Sequence, residues 1–173
     1  AVADDGTRYI ADAGDNNRIR RIGVDGTVSS LAGSVEGFVD GVGSAAAFHT
    51  PSGIALDRLG NLYVADTGNH AIRKVTPQGV VTTLAGDGVA GSVDGPAAQA
   101  RFNGPLGVAV DGAGNVLVAD TYNDRIRKID RDGLVSTLAG GERPCFQDGT
   151  GAVALFDTPT ALAVDALGNV WIA

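Results

Sequence analysis

Short apolar runs alternate with tight polar turns along the whole chain. Leu62-Tyr63-Val64-Ala65-Asp66, Ala71-Ile72-Arg73-Lys74-Val75 and Val80-Val81-Thr82-Thr83-Leu84-Ala85 are each rich in β-formers. Runs this short, bounded by turn residues, predict strands and not helices. Gly53-Ile54-Ala55-Leu56-Asp57 precedes them as a further apolar run. Between the runs lie Arg58-Leu59-Gly60-Asn61, Thr67-Gly68-Asn69-His70 and Pro77-Gln78-Gly79, all of turn composition. The pattern predicts four consecutive antiparallel strands joined by tight turns.

The pattern then repeats. Gly60-Asn61, Gly114-Asn115 and Gly168-Asn169 recur every 54 residues, and a weaker copy starts at Gly6. A fixed period of roughly 40 to 55 residues filled with short strands is the signature of a propeller or similar stacked array. The repeats fall at about 1–53, 54–107, 108–161 and, in part, 162–173. The predicted fold is therefore all-β, a β-propeller of four-stranded antiparallel blades, with about three blades and part of a fourth.

Strand one, with the small residues Gly53, Ala55, Gly107, Ala109 and Ala163, suits the crowded axis of such an array. Thr82 and Thr83 place strand four at the solvated rim. A long link returns from rim to axis, with Asp40-Gly41, Asp94-Gly95 and Asp148-Gly149 followed by Phe48, Phe102 and Phe156 and then by Pro51, Pro105 and Pro159. The Ala-rich stretches 44–47 and 97–100 predict one helical turn each, with the Phe anchored beneath.

Pro51-Ser52-Gly53-Ile54-Ala55-Leu56-Asp57 with Gly60-Asn61-Leu62-Tyr63-Val64-Ala65-Asp66-Thr67 resembles the NHL repeat, and Pro105 to Asp111 with Gly114 to Thr121 resembles it again. The resemblance implies a β-propeller, most often six-bladed. The first copy departs from the pattern, with Gly6-Thr7 for Gly-Asn, Ala13 for Thr and one extra residue in its second turn. The chain opens inside an inner strand and stops inside strand two of a fourth copy, so the expectation is either a segment of a longer propeller or an incomplete ring closed by self-association.

Composition narrows the function classes. A net charge of −7 disfavours nucleic acid and anionic membrane surfaces. No apolar run reaches the roughly 20 residues of a membrane span. The single cysteine, Cys145, excludes an internal disulfide framework. The 26 glycines are periodic and read as turn punctuation.

Three series of residues look chemical. Asp12, Asp66 and Asp120 close strand two in each copy, and ringed carboxylates suit calcium. Because every copy carries one, the structural reading is preferred, each Asp accepting backbone N–H bonds across its own hairpin turn. Arg20, Arg73 and Arg127 head basic pairs in strand three, and pairing with those Asp residues is favoured over an RNA-binding stripe.

Symmetry breaks at His49, Asn103 and Asp157, which share one position two residues before the proline of the inner strand. His, Asn and Asp there are candidate metal ligands, for calcium or zinc, at a channel mouth. Lactonases and lyases on similar six-bladed propellers hold their metal at that mouth. The alternative is ordinary capping of a turn. His70 reads as a solvated loop residue. Gly41-Val42-Gly43-Ser44-Ala45-Ala46 matches a dinucleotide fingerprint but lacks the strand and long helix it needs, so no cofactor is expected.

The favoured reading is a non-catalytic scaffold that binds a protein or small ligand at its loop face, with a segment of a longer propeller preferred over an array completed by self-association. The alternatives are a metal-dependent, lactonase-like hydrolase or lyase at the channel mouth, and an engineered or excised repeat fragment with no natural ligand. The acidic, thiol-poor, lysine-poor composition suits a bacterial secreted or cell-surface protein.

Overall fold

The structure is a computed structural model that describes residues 1–141 and 143–173. Strands β1 (Arg8–Asp12), β2 (Arg18–Ile22) and β3 (Val28–Ala32) form the first sheet, in that order. Residues 1–3 lead into it through a bridge between Val2 and Arg8. The link then contributes β4 (Gly41–Val42).

The second copy folds as β5 (Pro51–Leu56), β6 (Leu62–Asp66), β7 (Ala71–Val75) and β8 (Val80–Ala85), an antiparallel meander. The third repeats it: after β9 (Gly95–Pro96) come β10 (Gly107–Val110), β11 (Val116–Asp120), β12 (Arg125–Ile129) and β13 (Leu134–Gly140). β14 (Leu162–Val164) pairs with β15 (Val170–Ile172) in the fourth. The second and third copies are the expected four-stranded propeller blades, with strand one innermost, while the first sheet holds three strands and the fourth two.

One feature escaped the pattern of the sequence. The two-residue strands β4 and β9 pair with the outer edges of β8 and β13, so the second and third sheets have five strands. A pair of residues is too short to leave a periodic signature, yet it covers the edge that an outer strand would otherwise expose. Of the two expected helical turns, the one at 44–47 is a 3-10 turn over Gly43–Ala45, shifted by a residue, while Ala97–Gln99 forms a plain turn closed by Gln99 N–H on the Pro96 carbonyl; a 3-10 turn not foreseen in the sequence lies at Gly151–Val153.

Phe48 and Phe102 are fully buried, as anticipated. Phe48 packs with Leu62, Val64, Val75 and Val81, while Phe102 packs with Val116, Val118, Ile129 and Val135. Each Phe therefore fills the face that its blade turns toward the preceding one. The inner strands approach so closely that Gly53 N–H donates directly to the Leu106 carbonyl of the next blade at 2.9 Å.

Candidate functional site

The strands run alternately, so the chain presents two sets of loops. One face carries the turns between strands one and two; the other carries the turns between strands two and three together with the ends of the links. His49, Asn103 and Asp157 lie on the second face, at the start of their inner strands.

The charged series of strands two and three lies inside the array. Asp66 and Arg73 are both fully buried, with Arg73 Nη1 donating to Asp66 Oδ2 at 2.7 Å. Arg73 Nη2 also reaches Asp40 Oδ1 at 2.7 Å and the Val39 carbonyl at 2.9 Å. Phe38 and Phe48 flank its guanidinium, with ring centroids 4.9 and 5.2 Å away. The third blade repeats the arrangement with Asp120, Arg127, Asp94 and Phe102. Arg–Asp pairing was the preferred reading of these residues, and it is what the structure contains.

The backbone donors to these carboxylates differ from expectation. Asp66 Oδ1 accepts the N–H of His49 at 2.8 Å, and Asp120 Oδ1 that of Asn103 at 2.7 Å. Both donors belong to the incoming link, 17 residues upstream, and not to the hairpin itself. Within the hairpin the donors are side chains, Asn69 and Asn123 of the turn, each at 2.8 Å, beside the Arg73 and Arg127 of strand three. An Asx turn is a local device, whereas this Asp ties link, strand two and strand three into one joint. Burial pushes the Asp66 and Asp120 carboxyls above their ordinary value, against the Asn, link N–H and Arg donors that pull them down.

The turn role falls instead to Asp57, Asp111 and Asp165. Asp57 accepts N–H bonds from Leu59 and Asn61 at 2.8 and 2.9 Å, the Asn61 side-chain amide at 2.8 Å and the Tyr63 hydroxyl at 3.2 Å. Asp111 and Asp165 hold their own Asn115 and Asn169 the same way. This explains the Gly-Asn motif: Gly60, at φ +79, makes the turn and Asn61 clamps it. Burial and the neighbouring Asp57 charge push the Tyr63 hydroxyl up to about 12. A cleft of about 1010 Å³ opens among these turns, lined by Asp57, Tyr63, Asp111, Asp130 and Asp165 among others. It lies at the far end of the inner strands from His49, Asn103 and Asp157.

On the loop face His49 and Asn103 pack or bond within their own blades. The His49 ring lies against Gly68, where an added Cβ would sit 2.5 Å from Cγ, and its Nε2 is 3.6 Å from Glu36 Oε1. The Asn103 carbonyl accepts the Tyr122 N–H at 3.1 Å. Asp157 is exposed. Among the described residues no group of three or more His, Cys, Asp and Glu is close enough to hold a metal ion. Cys145 is exposed.

A second joint on this face is absent from the expectations above. Asn17, His70 and Asp124 occupy one equivalent position, all left-handed, with φ of 46, 51 and 54. Each accepts an N–H from the next link: Asn17 Oδ1 from Thr50 at 2.7 Å, His70 Nδ1 from Gly104 at 3.0 Å and Asp124 Oδ1 from Thr158 at 2.8 Å. His70 is thus half-buried and structural, not a solvated loop residue. Three residue types and a one-residue register change in copy one conceal the equivalence. Similarly, His49 stands over Gly68 in the second blade, while in the third Tyr122, which takes the place of Gly68, stands over Gly104, which takes the place of Thr50.

Thr67 and Thr121 complete the blade joints, donating to the Pro105 and Pro159 carbonyls of the following blade at 2.7 and 2.8 Å. Thr67→Val keeps the shape and removes the donor. It should lower the unfolding free energy by about 1 kcal/mol, the usual worth of one such bond, measured by urea denaturation against the unsubstituted chain.

Comparison with known proteins agrees with the geometry. Residues 48–75 and 102–129 match the family described as NHL repeat. The chain is 42% identical over 93 residues to NHL repeat-containing protein 2 of Bos taurus, covering 52% of this chain and 12% of that protein. Among solved structures it is similar to a protein of unknown function from Bacteroides thetaiotaomicron, with a TM-score of 0.79 and 26% identity over 96% of this chain and 41% of that one. It also shares the fold of a streptogramin B lyase, at a TM-score of 0.66 and 14% identity, covering 100% of this chain and 46% of the lyase.

Proposed function

The chain belongs to the NHL-repeat family, and from that premise we propose that it is part of a non-catalytic propeller scaffold that presents one loop face to a protein or small ligand. One observation supports this most. Side chains identical between copies, Asp66 with Asp120 and Arg73 with Arg127, are buried in blade joints, while the loop face carries side chains that differ at matched positions. His49, Asn103 and Asp157 differ there, as do Gly68 and Tyr122. A rigid frame with variable loops is the arrangement by which repeat folds bind partners.

A second reading is a metal-dependent, lactonase-like hydrolase or lyase using His49, Asn103 and Asp157 with calcium or zinc. Its support is the position of those residues at the start of the inner strands and the fold shared with a lyase. The two readings separate on metal. The chain equilibrated with Ca²⁺ or Zn²⁺ and then desalted should carry no stoichiometric metal by elemental analysis, and should not accelerate hydrolysis of a simple δ-lactone. Stoichiometric metal that His49→Ala loses, with metal-dependent turnover, would overturn the scaffold reading in favour of the enzyme.

A further inference from the structure

The loop face of the third blade carries an aromatic ring that the second blade lacks, since the residue matched to Gly68 is Tyr122. The 3-10 turn Thr121–Asn123 holds it in place, with the Tyr122 N–H on the Asn103 carbonyl at 3.1 Å. One edge of the ring lies against Gly104, where any Cβ would fall on Tyr122 Cδ2. The rest stays in solvent, and the residue is 63% exposed. A lone exposed ring is ordinary. What sets this one apart is the pocket beside it.

Tyr122 forms one wall of a pocket of about 290 Å³, close to the roughly 300 Å³ at which small-molecule sites begin. Its other walls among the described residues are Ser92, Asn123, Asp124 and Arg125, all polar. Their hydrogen bonds within the chain determine what each can offer a ligand. Asn123 directs its amide N–H groups to the Gly91 carbonyl and Asp120 Oδ2, at 2.7 and 2.8 Å, so its Oδ1 is left to accept. Asp124 Oδ1 holds the Thr158 N–H at 2.8 Å, which leaves Oδ2 to accept. Arg125 Nη1 donates to Ser92 Oγ at 2.6 Å, so the Ser92 hydroxyl keeps its own hydrogen to donate. Asn69 and His70, matched to Asn123 and Asp124 in a blade that another complete blade follows, are equally half-buried. The openness of these positions therefore belongs to the blade itself.

We propose that this pocket binds a neutral saccharide, one pyranose ring stacked on Tyr122 and its hydroxyls bonded to Ser92, Asn123 and Asp124. A hydroxyl donates and accepts at once, and so matches walls that combine one donor with two acceptors. A pyranose also presents a face of C–H groups that lies flat on an aromatic ring. A wholly apolar ligand would strip water from the polar walls without replacing its hydrogen bonds. An anion would meet Asp124 and the −7 charge of the chain, and a stacked base of a nucleic acid would bring phosphates that the same charge repels. The aromatic anchor of a protein interface sits in a desolvated, well-packed pocket, whereas every neighbour of Tyr122 in this one is polar. The inference rests on the scaffold reading and names the ligand class for its loop face.

Calorimetric titration of the 173-residue chain with cellohexaose, xylohexaose, maltohexaose and a released high-mannose glycan, offered separately, tests it. At least one should bind with a Kd of about 1 mM or tighter, and its ring C–H protons should move upfield in the NMR spectrum as they stack on Tyr122. The first three stand for free polysaccharide and the last for a protein-borne glycan, so the source follows from which one binds. Tyr122→Ala should weaken binding by about tenfold or more, while Tyr122→Phe retains it. Neither should move the urea midpoint, since Gly fills the matched place in the second blade. Asp124→Asn keeps an acceptor for Thr158, as Asn17 does for Thr50 in the first blade, and should weaken binding by about threefold. No binding of any of the four, binding without the upfield movement, or binding that Tyr122→Ala leaves unchanged each overturns the proposal. Such a result leaves the metal test, and with it the scaffold reading, untouched.

Discussion

Asp66→Ala is expected to lower the unfolding free energy by about 3–5 kcal/mol, because it removes one partner of a buried ion pair and leaves the other uncompensated. Arg73 is fully buried, and the change also strands the His49 N–H that Asp66 accepts. Asp12→Ala provides the internal control. The Arg20 and Asp12 side chains are 29% and 27% exposed, so the matched change in the first blade should cost no more than about 1 kcal/mol, the usual worth of a solvated pair. Guanidinium chloride unfolding of both variants measures the contrast, and equal costs would show that the buried joint contributes nothing beyond a surface pair. The position also predicts a functional consequence: releasing the His49 backbone frees the link that shapes the loop face.

Acid acts on a different pair of carboxylates. Burial raises Asp40 and Asp94, but the Thr83 and Thr137 N–H groups and the Arg73 and Arg127 guanidinium groups outweigh it, so both end below their ordinary value. A carboxyl depressed in the folded state contributes stability that is complete above its unfolded pKa and lost as pH falls through the folded one. Asp66 and Asp120 are shifted upward and do not add to that acid loss. On acidification the stability lost at Asp40 and Asp94 therefore falls on the links they belong to.

The frame of this fold was legible because it is local and repeated. Val80 to Ala85 reads as a strand from six residues alone, and the 54-residue interval multiplies the evidence for each turn. The burial of Arg73 was foreseeable only in part. Its pairing with Asp66 follows from recurrence of both, but Asp40 and Phe48 arrive from 33 and 25 positions upstream in a link that carries a two-residue strand and a single 3-10 turn. The equivalence of Asn17, His70 and Asp124 was hidden for a different reason. What the joint requires is a left-handed backbone and one acceptor atom, and three chemically unlike side chains satisfy that requirement. Residues that differ at matched positions thus have two meanings: at 70 they are interchangeable acceptors, while at 49, 103 and 157 their side chains take no common role.

Gly53→Ala is expected to destabilise the chain by about 2–4 kcal/mol, combining overpacking at a rigid backbone contact with loss of one hydrogen bond. A Cβ built on Gly53 falls on the Leu106 carbonyl oxygen of the next inner strand and meets the Gly107 Cα at 3.1 Å. Both obstacles are backbone, so no side chain can turn away to make room. The same Leu106 carbonyl accepts the Gly53 N–H, and moving the strands apart breaks that bond as well. Gly107→Ala should behave alike, since its Cβ would lie 2.7 Å from the Thr160 carbonyl oxygen. The matched residue in the fourth copy is already Ala161, which is exposed. Substituting it by Gly should therefore change stability by no more than the roughly 0.4–1 kcal/mol that backbone freedom alone accounts for. Thermal denaturation of Gly53→Ala, Gly107→Ala and Ala161→Gly separates the two causes. If all three shift the midpoint by the same small amount, blade spacing at the axis is not set by these glycines. A large loss at 53 and 107 alone shows that missing Cβ atoms fix how closely the blades stand, and with it the spacing of the loops presented above them.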